Sequence, residues 1–545
     1  MKHGVGKVAV LGMLAALLAG DARVSSPAAA SEETSRARIS RDYTSALGVI
    51  RESYVEAVEE DKLTKAAIQG MLQELDPHSN FFDRKAFAEM NSEQRSHYFG
   101  IGAEIGQRNR GTYVLEPFEN TPAGRAGLRY GDHIVAIDGK DTADWPSDRV
   151  RNGLRGERGT ALKVTVRRVG VAEPLTFTLQ RDAVALPSIT NYYLARPGIG
   201  YIGLARGFHS TTHDELTQVM ADLRKQGATS FVLDLRGNPG GYLDQAIKVS
   251  DKFLKRGQVV VSVRGREGGD FSRNLVAERG ATDNFPLVIL INEGSASASE
   301  IVAGAVQDHD RGLIVGETSF GKGLVQHIFP LSEGAGLTLT IAHFYTPSGR
   351  LIQRDYSNGS FYEYITRRNS GGAAAAPKPQ QEERRTDLGR TVFGGGGIEP
   401  DIKVGSADKL TPAQLRLIHG LFMFTRELMA GQVATAPDFK RGGIERRHQL
   451  KPNEFMVTDE TLKAYRAFME NFIREHQDYG LTLAQVDENM IWARKQIRQE
   501  AFLAAYGRDT AQRALNDLDL QLQRAIAELP NSAQLAEQSW RAMKR

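Results

Sequence analysis

The residues with the most evident chemical capacity lie in one run, 285–326, which reads FPLVILINEGSASASEIVAGAVQDHDRGLIVGETSFGKGLVQ. Ser295, Ser297 and Ser299 stand between an apolar run and a segment with Ile301, Val302, Ala305 and Val306 at helical spacing. A serine at the point where a buried strand turns into a helix has its hydroxyl at the carboxyl edge of a sheet, beside backbone N–H groups with no intrahelical partner. That setting suits a nucleophile with an oxyanion site next to it. Serine alone is a poor nucleophile, and the following loop GETSFGKG offers one cation, Lys322, as its base. An amine serves as a base only when neutral, so the lysine must titrate near 7 rather than about 10.4, which costs its charged form about 4 kcal/mol. Phe320, Leu324 and Val325 are available to dry its surroundings. Ser295 and Ser299 read as helix caps. His309, His327 and His343 are alternative bases, though no local pattern favours one of them.

These groups need strands and turns to hold them. Residues 286–291 are an unbroken, β-branched apolar run, the pattern of a strand buried on both faces, and Asn292, Glu293 and Gly294 turn it. Residues 312–315 make a second strand before the lysine loop. Upstream, the strand 199–208 leads to a helix whose Leu216, Val219, Met220 and Leu223 face inward, and the strand 230–235 feeds RGNPGG before another helix. Such a glycine-rich bend can aim backbone N–H groups outward. The alternation of strand, turn and helix indicates an α/β core. Gly316 to Lys322 also has the spacing G-x-x-x-x-G-K of a phosphate-binding loop, but Gly323 follows where Mg²⁺ binding needs Ser or Thr. No nucleotide is expected.

SASASEI followed by GETSFGKGLVQ resembles the carboxyl-terminal processing peptidases, the tail-specific Ser–Lys proteases with a PDZ domain. The resemblance implies that Ser297 is the nucleophile, Lys322 the general base and Gln326 the residue that orients the lysine. It implies further that one oxyanion donor is Gly240 or Gly241, from the DLRGNPGG turn, and that the other is Ala298. The fold it implies is a crotonase-like ββα spiral core with an inserted PDZ domain. Residues 344–353 (FYTPSGRLIQ), 392–401 (VFGGGGIEPD) and the segment YVEAVEEDKLTKAAIQGMLQELDPHSNFF match the same family. Within that segment His78, in an Asp-Pro-His-Ser turn, reads as structural.

Residues 99–181 resemble a PDZ domain, through FGIGAEI and TPAGRAGLRYGDHIVAIDG. Such domains add a peptide as an extra strand and hold its terminal carboxylate in a nest of backbone amides. The matching loop is Phe99-Gly100-Ile101-Gly102, with Ile101 and Ile105 flooring the side-chain site. Arg155 can pair with a carboxylate of the peptide or of the protease body, or stand as a plain surface arginine.

The chain has 545 residues, a net charge of +3 and no cysteine. Near-balanced charge gives no nucleic-acid footprint, and the missing thiol excludes disulfides and lipoprotein anchoring. Lys2, His3 and Lys7 precede the apolar run 8–18, and Ala28-Ala29-Ala30 offers a cleavage site. That pattern predicts export by a signal peptide to the periplasm, with an uncleaved anchor as the alternative. The expected organisation is signal peptide 1–30, helices 31–97, PDZ domain 98–181, protease core 182–369, disordered linker 370–391, return strand 392–404 and helical domain 405–545. In the last, one stripe is Leu417, Ile418, Leu421, Phe424 and Leu428. A second is Tyr465, Phe468, Met469 and Phe472, and a third is Leu515, Leu518, Leu522, Ala525, Ile526 and Leu529; all three read as that domain's core. The terminal helices are candidates for self-association or an adaptor. The expected activity is a cofactor-free serine endopeptidase acting near protein C-termini. Its rivals are a crotonase-type acyl-CoA enzyme and a non-catalytic peptide scaffold.

Overall fold

A computed structural model describes residues 27–267, 271–281, 283–356, 382–405, 410–446, 450–451 and 453–543. The chain divides into two units, the first ending at Leu75 and the second running over Asp76–Arg545. The first contains the helices Pro27–Ser53 and Glu60–Gln73, broken near the expected residues 59–61. Arg51 donates to Glu60 across that break at 2.9 Å, and Ile39, Tyr43, Val49, Ile50, Tyr54 and Val55 are exposed. The apolar run 8–18 lies outside the described residues.

The second unit is built on a sheet whose strands follow chain order: Ile189–Arg196, Ile199–Leu204, Ser230–Asp234, Leu287–Ile291, Leu313–Gly316 and Ile402–Lys403. The first pair is antiparallel and the remainder parallel. Every residue of Leu287–Ile291 is buried, because the sheet is covered on both faces. Leu287, Ile289 and Ile291 pack with Leu216, Val249 and Val302 from the helices Thr212–Lys225, Leu243–Ser250 and Ala298–Asp308. Val288 and Leu290 point the other way, onto Leu522, Ala525 and Leu529 of the helix Leu520–Ala542. Each such side chain contributes about 1.5–3 kcal/mol by leaving water.

That second cover corrects the reading of the third C-terminal stripe as the core of a separate domain. A parallel strand that is apolar on both faces needs a layer on each, and the last helix supplies the outer one. The other two stripes do share one core, in which Leu417, Phe424, Tyr465 and Phe472 are buried. This bundle leans on the PDZ-like unit, with the rings of Phe422 and Tyr113 5.2 Å apart and Arg426 Nε donating to Gly131 O at 2.7 Å.

The PDZ-like unit is a sheet ordered Ala103–Arg108, Gly111–Pro117, His133–Ile137, Ala161–Arg167 and Leu175–Gln180, with the helix Ser147–Leu154 against it. Ala103–Arg108 is therefore an edge strand. A further sheet brings distant segments together: Gly336–Tyr345 pairs with Leu324–Pro330 on one side and with Asn80–Phe82 and Val259–Gly265 on the other. The expected linker ends earlier than the composition suggests. Residues 370–381 lie outside the described residues, but Glu383–Arg385 and Thr391–Phe393 form a hairpin. Asp387 meets His309 at 2.7 Å and Arg390 meets Asp401 at 2.6 Å, so ion pairs rather than apolar periodicity seat this segment.

Candidate active site

The strand Leu287–Ile291 and the helix Ala298–Asp308 are joined by a turn in which the serines part company. Ser295 Oγ donates to Leu235 O at 2.7 Å and Ser299 Oγ to Asn238 O at 3.0 Å, and both residues are fully buried. Their hydroxyls are committed to the scaffold. Ser297, between them, is part-exposed and has φ 55° and ψ −112°. A serine held in that region costs about 1–3 kcal/mol and persists only where its surroundings over-determine it.

Those surroundings are visible. Ser297 N–H donates to Glu300 Oε2 at 2.8 Å, and Ala296 N–H donates to Asn238 O at 2.9 Å. Gly240 lies directly alongside: a β-carbon on it would come within 2.7 Å of Ser297 Cβ and 3.0 Å of Ala298 N, so only glycine allows this approach.

The DLRGNPGG turn separates the two glycines. Gly240 N–H donates to Asn238 Oδ1 at 2.9 Å and is thus occupied. Phe208 N–H donates to Gly240 O, and Tyr242 N–H to Phe208 O, each at 2.8 Å. Those two bonds make a parallel bridge of Phe208 with Gly241, in which the Gly241 N–H faces away from Phe208. Among the described residues neither Gly241 N–H nor Ala298 N–H has a partner.

Lys322 follows the strand Leu313–Gly316, and Leu324–Pro330 starts two residues later. Its Nζ donates to Gln326 Oε1 at 3.1 Å; among the described residues no bond joins Nζ to Ser297 Oγ and no carboxylate pairs with it. Burial pushes the Lys322 ammonium below its usual range, opposed by the charges of Glu300 and Asp76. Gln326 is itself fixed, because its Nε2 donates to His78 O. The Asp-Pro-His-Ser turn that presents this carbonyl is organised by Asp76, which accepts from His78 N–H and Ser79 N–H at 2.8 Å and from Ser79 Oγ at 2.7 Å. Burial, and then Lys322, lower the His78 imidazole to about 4, so it is neutral beside the amine. The sequence reading of His78 as structural missed this contact. The strand pairing of Asn80–Phe82 with Gly336–Tyr345 creates it.

A cavity of about 510 Å³ lies at the PDZ-like unit, lined by Ile101, Ile105, Phe118, Leu154, Arg155 and Arg206 among others. Phe99 and Gly100 belong to the strand His97–Gly100, paired with Asp182–Ala185. Ile101 and Gly102 follow it, and their N–H groups have no partner among the described residues. Gly102 has φ 76°, and a β-carbon there would collide with Thr121. Arg155 is already engaged, donating to Glu93 at 2.7 Å and stacking on Tyr98 at 4.8 Å. Arg508 and Gln512, from the C-terminal extension, line the same cavity, and Arg508 pairs with Glu104 of the edge strand.

Three family models match the chain. The description "Peptidase family S41" matches residues 198–358, "PDZ domain" residues 89–167, and "Activating protease CtpB N-terminal domain" residues 9–86. The carboxy-terminal-processing protease of Bartonella bacilliformis is 42% identical over 308 residues, 56% of this chain and 70% of that protein. The carboxy-terminal processing protease CtpB of Bacillus subtilis is 31% identical over 331 residues, 60% of this chain and 68% of that protein. Among solved structures, the photosystem II D1 C-terminal processing protease is 28% identical, covering 67% of this chain and 92% of that one, with a TM-score of 0.34. The chain belongs to the carboxy-terminal processing proteases of peptidase family S41. It is a serine protease that hydrolyses peptide bonds and carries a PDZ domain, and the acyl-CoA and scaffold readings lose their ground.

Proposed function

We propose that the enzyme is exported, takes hold of the C-terminal tail of a protein with its PDZ domain, and cleaves nearby with a Ser297–Lys322 dyad. The neutral Lys322 amine takes the proton from Ser297 Oγ as that oxygen bonds to the scissile carbonyl carbon. Gly241 N–H and Ala298 N–H receive the oxyanion. The Lys322 ammonium returns its proton to the departing amine. A water then attacks the acyl carbon as Lys322 accepts its proton, and Lys322 passes that proton to Ser297 Oγ as the ester bond breaks, which releases the new C-terminal carboxyl group and restores both residues. Gln326 holds the lysine through its amide oxygen. No metal or nucleotide enters.

The observation that carries this reading is a part-exposed serine at positive φ where strand becomes helix, whose amide shares one Glu300 oxygen with the amide of a lysine bonded through its side chain to Gln326. The contact between Oγ and Nζ closes when substrate binds, since catalytic hydrogen bonds commonly tighten only in the substrate complex. The N–H groups of Ile101 and Gly102, without a partner among the described residues, suit a terminal carboxylate, with Ile101 and Ile105 beneath an apolar last side chain. The core is a crotonase-like ββα spiral. Export rests on the basic start, the apolar run 8–18 and Ala28-Ala29-Ala30, and the periplasm suits a cysteine-free chain. The exposed apolar residues of the N-terminal helices favour self-association. The test is hydrolysis of a peptide with an apolar free C-terminus by wild type, Ser297→Ala and Lys322→Ala. Both variants should bind the peptide without cutting it, and cleavage by either refutes the dyad.

A further inference from the structure

Glu300 is a carboxylate that the proposed chemistry leaves unused, yet among the described residues no other side chain is tied to so much of the site. It is fully buried, three residues after Ser297. Oε1 accepts from Ser319 Oγ at 2.5 Å and Gly321 N–H at 2.7 Å, while Oε2 accepts from Ser297 N–H at 2.8 Å and Lys322 N–H at 2.9 Å. The capacity of an ionised carboxylate is about four such bonds, so this one is filled by neutral donors. A plain helix cap explains the bond to Ser297, because an acid at the third helical position reaches back to the cap's N–H. It does not explain Ser319, Gly321 and Lys322, which come from another strand's loop.

The position also works against the lysine's task. A carboxylate beside an amine that must be neutral holds that amine's affinity for protons up. Had only stability been served, a neutral acceptor would have avoided this conflict. Burial pushes the Glu300 carboxyl up, and its donors from Ser319, Lys322, Gly321 and Ser297 pull it back toward the ionised form. Among the described residues, the other charged or titratable groups acting on Lys322 or on its neighbour His78 are Asp76 and Arg354.

We propose that Glu300 is the positioning residue of the dyad: by sharing Oε2 between the Ser297 and Lys322 amides, it fixes the nucleophile and the base in one frame. The inference rests on the assignment of those two residues as nucleophile and base. Two consequences follow. Losing the shared oxygen lets the two backbones drift apart, and losing the negative charge lets Lys322 become neutral at lower pH.

The experiment compares the full chain with Glu300→Gln and Glu300→Asp on one peptide with an apolar C-terminus, recording kcat, KM and the pH profile, with Tm as a check on folding. In Glu300→Gln an NH₂ group must face two donors, so kcat should fall by ~100-fold, as for a misplacement of about 1 Å, with KM little changed. Its acidic limb should move to lower pH. Glu300→Asp keeps the charge but not the reach, so its kcat should fall while the limb stays in place. Wild-type kcat in either variant overturns the proposal, as does an unmoved limb in a folded Glu300→Gln. If Glu300→Gln fails to fold, the kcat and limb of Glu300→Asp decide. Ser297→Ala, run beside them, keeps the two questions apart: cleavage by that variant sinks the dyad itself, whereas an inert Ser297→Ala beside a fully active Glu300→Gln sinks only the role of Glu300.

Discussion

Charge is used in opposite ways at the proposed dyad and at the cavity of the PDZ domain. At the dyad a single buried carboxylate gathers short neutral donors, three of them backbone amides, from two segments. At the cavity, lining residues from different parts of the chain are held by long arginine side chains: Arg155 to Glu93 and Arg508 to Glu104. The side chains of the Arg508–Glu104 pair remain 47% and 32% exposed. Exposed pairs of that kind are worth about 0–1 kcal/mol each and weaken with salt, whereas a filled buried acceptor is rigid and costly to break. On the proposed function the chemistry is built to one geometry, and the surface that would read the peptide can be adjusted by small free energies. Breaking each region in turn should therefore give losses of very different size and kind.

The largest losses should belong to the proposed reacting groups. Ser297→Ala and Lys322→Ala should each lower kcat by at least about 10⁴-fold while peptide affinity, read by calorimetry, stays near wild type. Gly240→Ala comes next. Its β-carbon would arrive 2.7 Å from Ser297 Cβ at a φ of 97°, so the nucleophile turn must shift, and kcat should fall by ~100-fold with KM unchanged. Equal losses in kcat and affinity in any of these would mean that the two regions are not separable.

The same contrast explains what the sequence discloses. The run from the buried strand to GETSFGKG carries its meaning locally, since the strand, the turn, the serine and the lysine all announce themselves within 285–326. The elements 287–291, 298–308 and 313–316 accordingly fall where the pattern predicts them. What stayed hidden depends on partners far along the chain. Glu300 looks like an ordinary cap until Gly321 and Lys322 fold back onto it. His78 sits 248 residues from Gln326, and no spacing rule links a turn carbonyl to an amide that distant. Gly240 and Gly241 are indistinguishable as letters, and only the Asn238 side chain tells them apart. The stripe of Leu522, Ala525 and Leu529 has helical spacing whichever surface it covers, so periodicity could not say that this surface was the sheet.

A smaller effect should come from Asp76, which faces Lys322 without touching the shared Glu300 oxygen. Asp76→Asn keeps an oxygen for the His78 and Ser79 amides and an NH₂ that Ser79 Oγ can accept from, so the turn should survive. The negative charge is lost, and with it one of the two influences that raise Lys322. On the proposed mechanism activity requires the neutral amine and fades as pH falls through the lysine's pKa. A lower pKa therefore extends activity to more acidic pH. The kcat on the alkaline plateau should remain within about 3-fold of wild type, the tolerance for a preserved hydrogen-bonded turn. A limb that moves to higher pH would contradict the sign of this coupling.

The smallest expected effect lies in the cavity wall. Arg508 reaches Glu104 from the C-terminal extension at the edge strand where a peptide would add, so Arg508→Ala alters the groove without touching the dyad. A half-exposed pair contributes about 0.2–1 kcal/mol, so KM should change by roughly 1.5- to 5-fold, with kcat untouched. Raising ionic strength should reproduce part of that change in wild type and less of it in the variant, because salt screens the pair that the variant lacks. Glu300→Gln, measured across the same salt series, should keep the wild-type slope, since its hydrogen bonds are shielded from solvent. If instead Arg508→Ala lowers kcat as far as Glu300→Gln does, the groove and the dyad are one mechanically coupled structure. The division between a fixed chemical site and an adjustable reading surface would then fail.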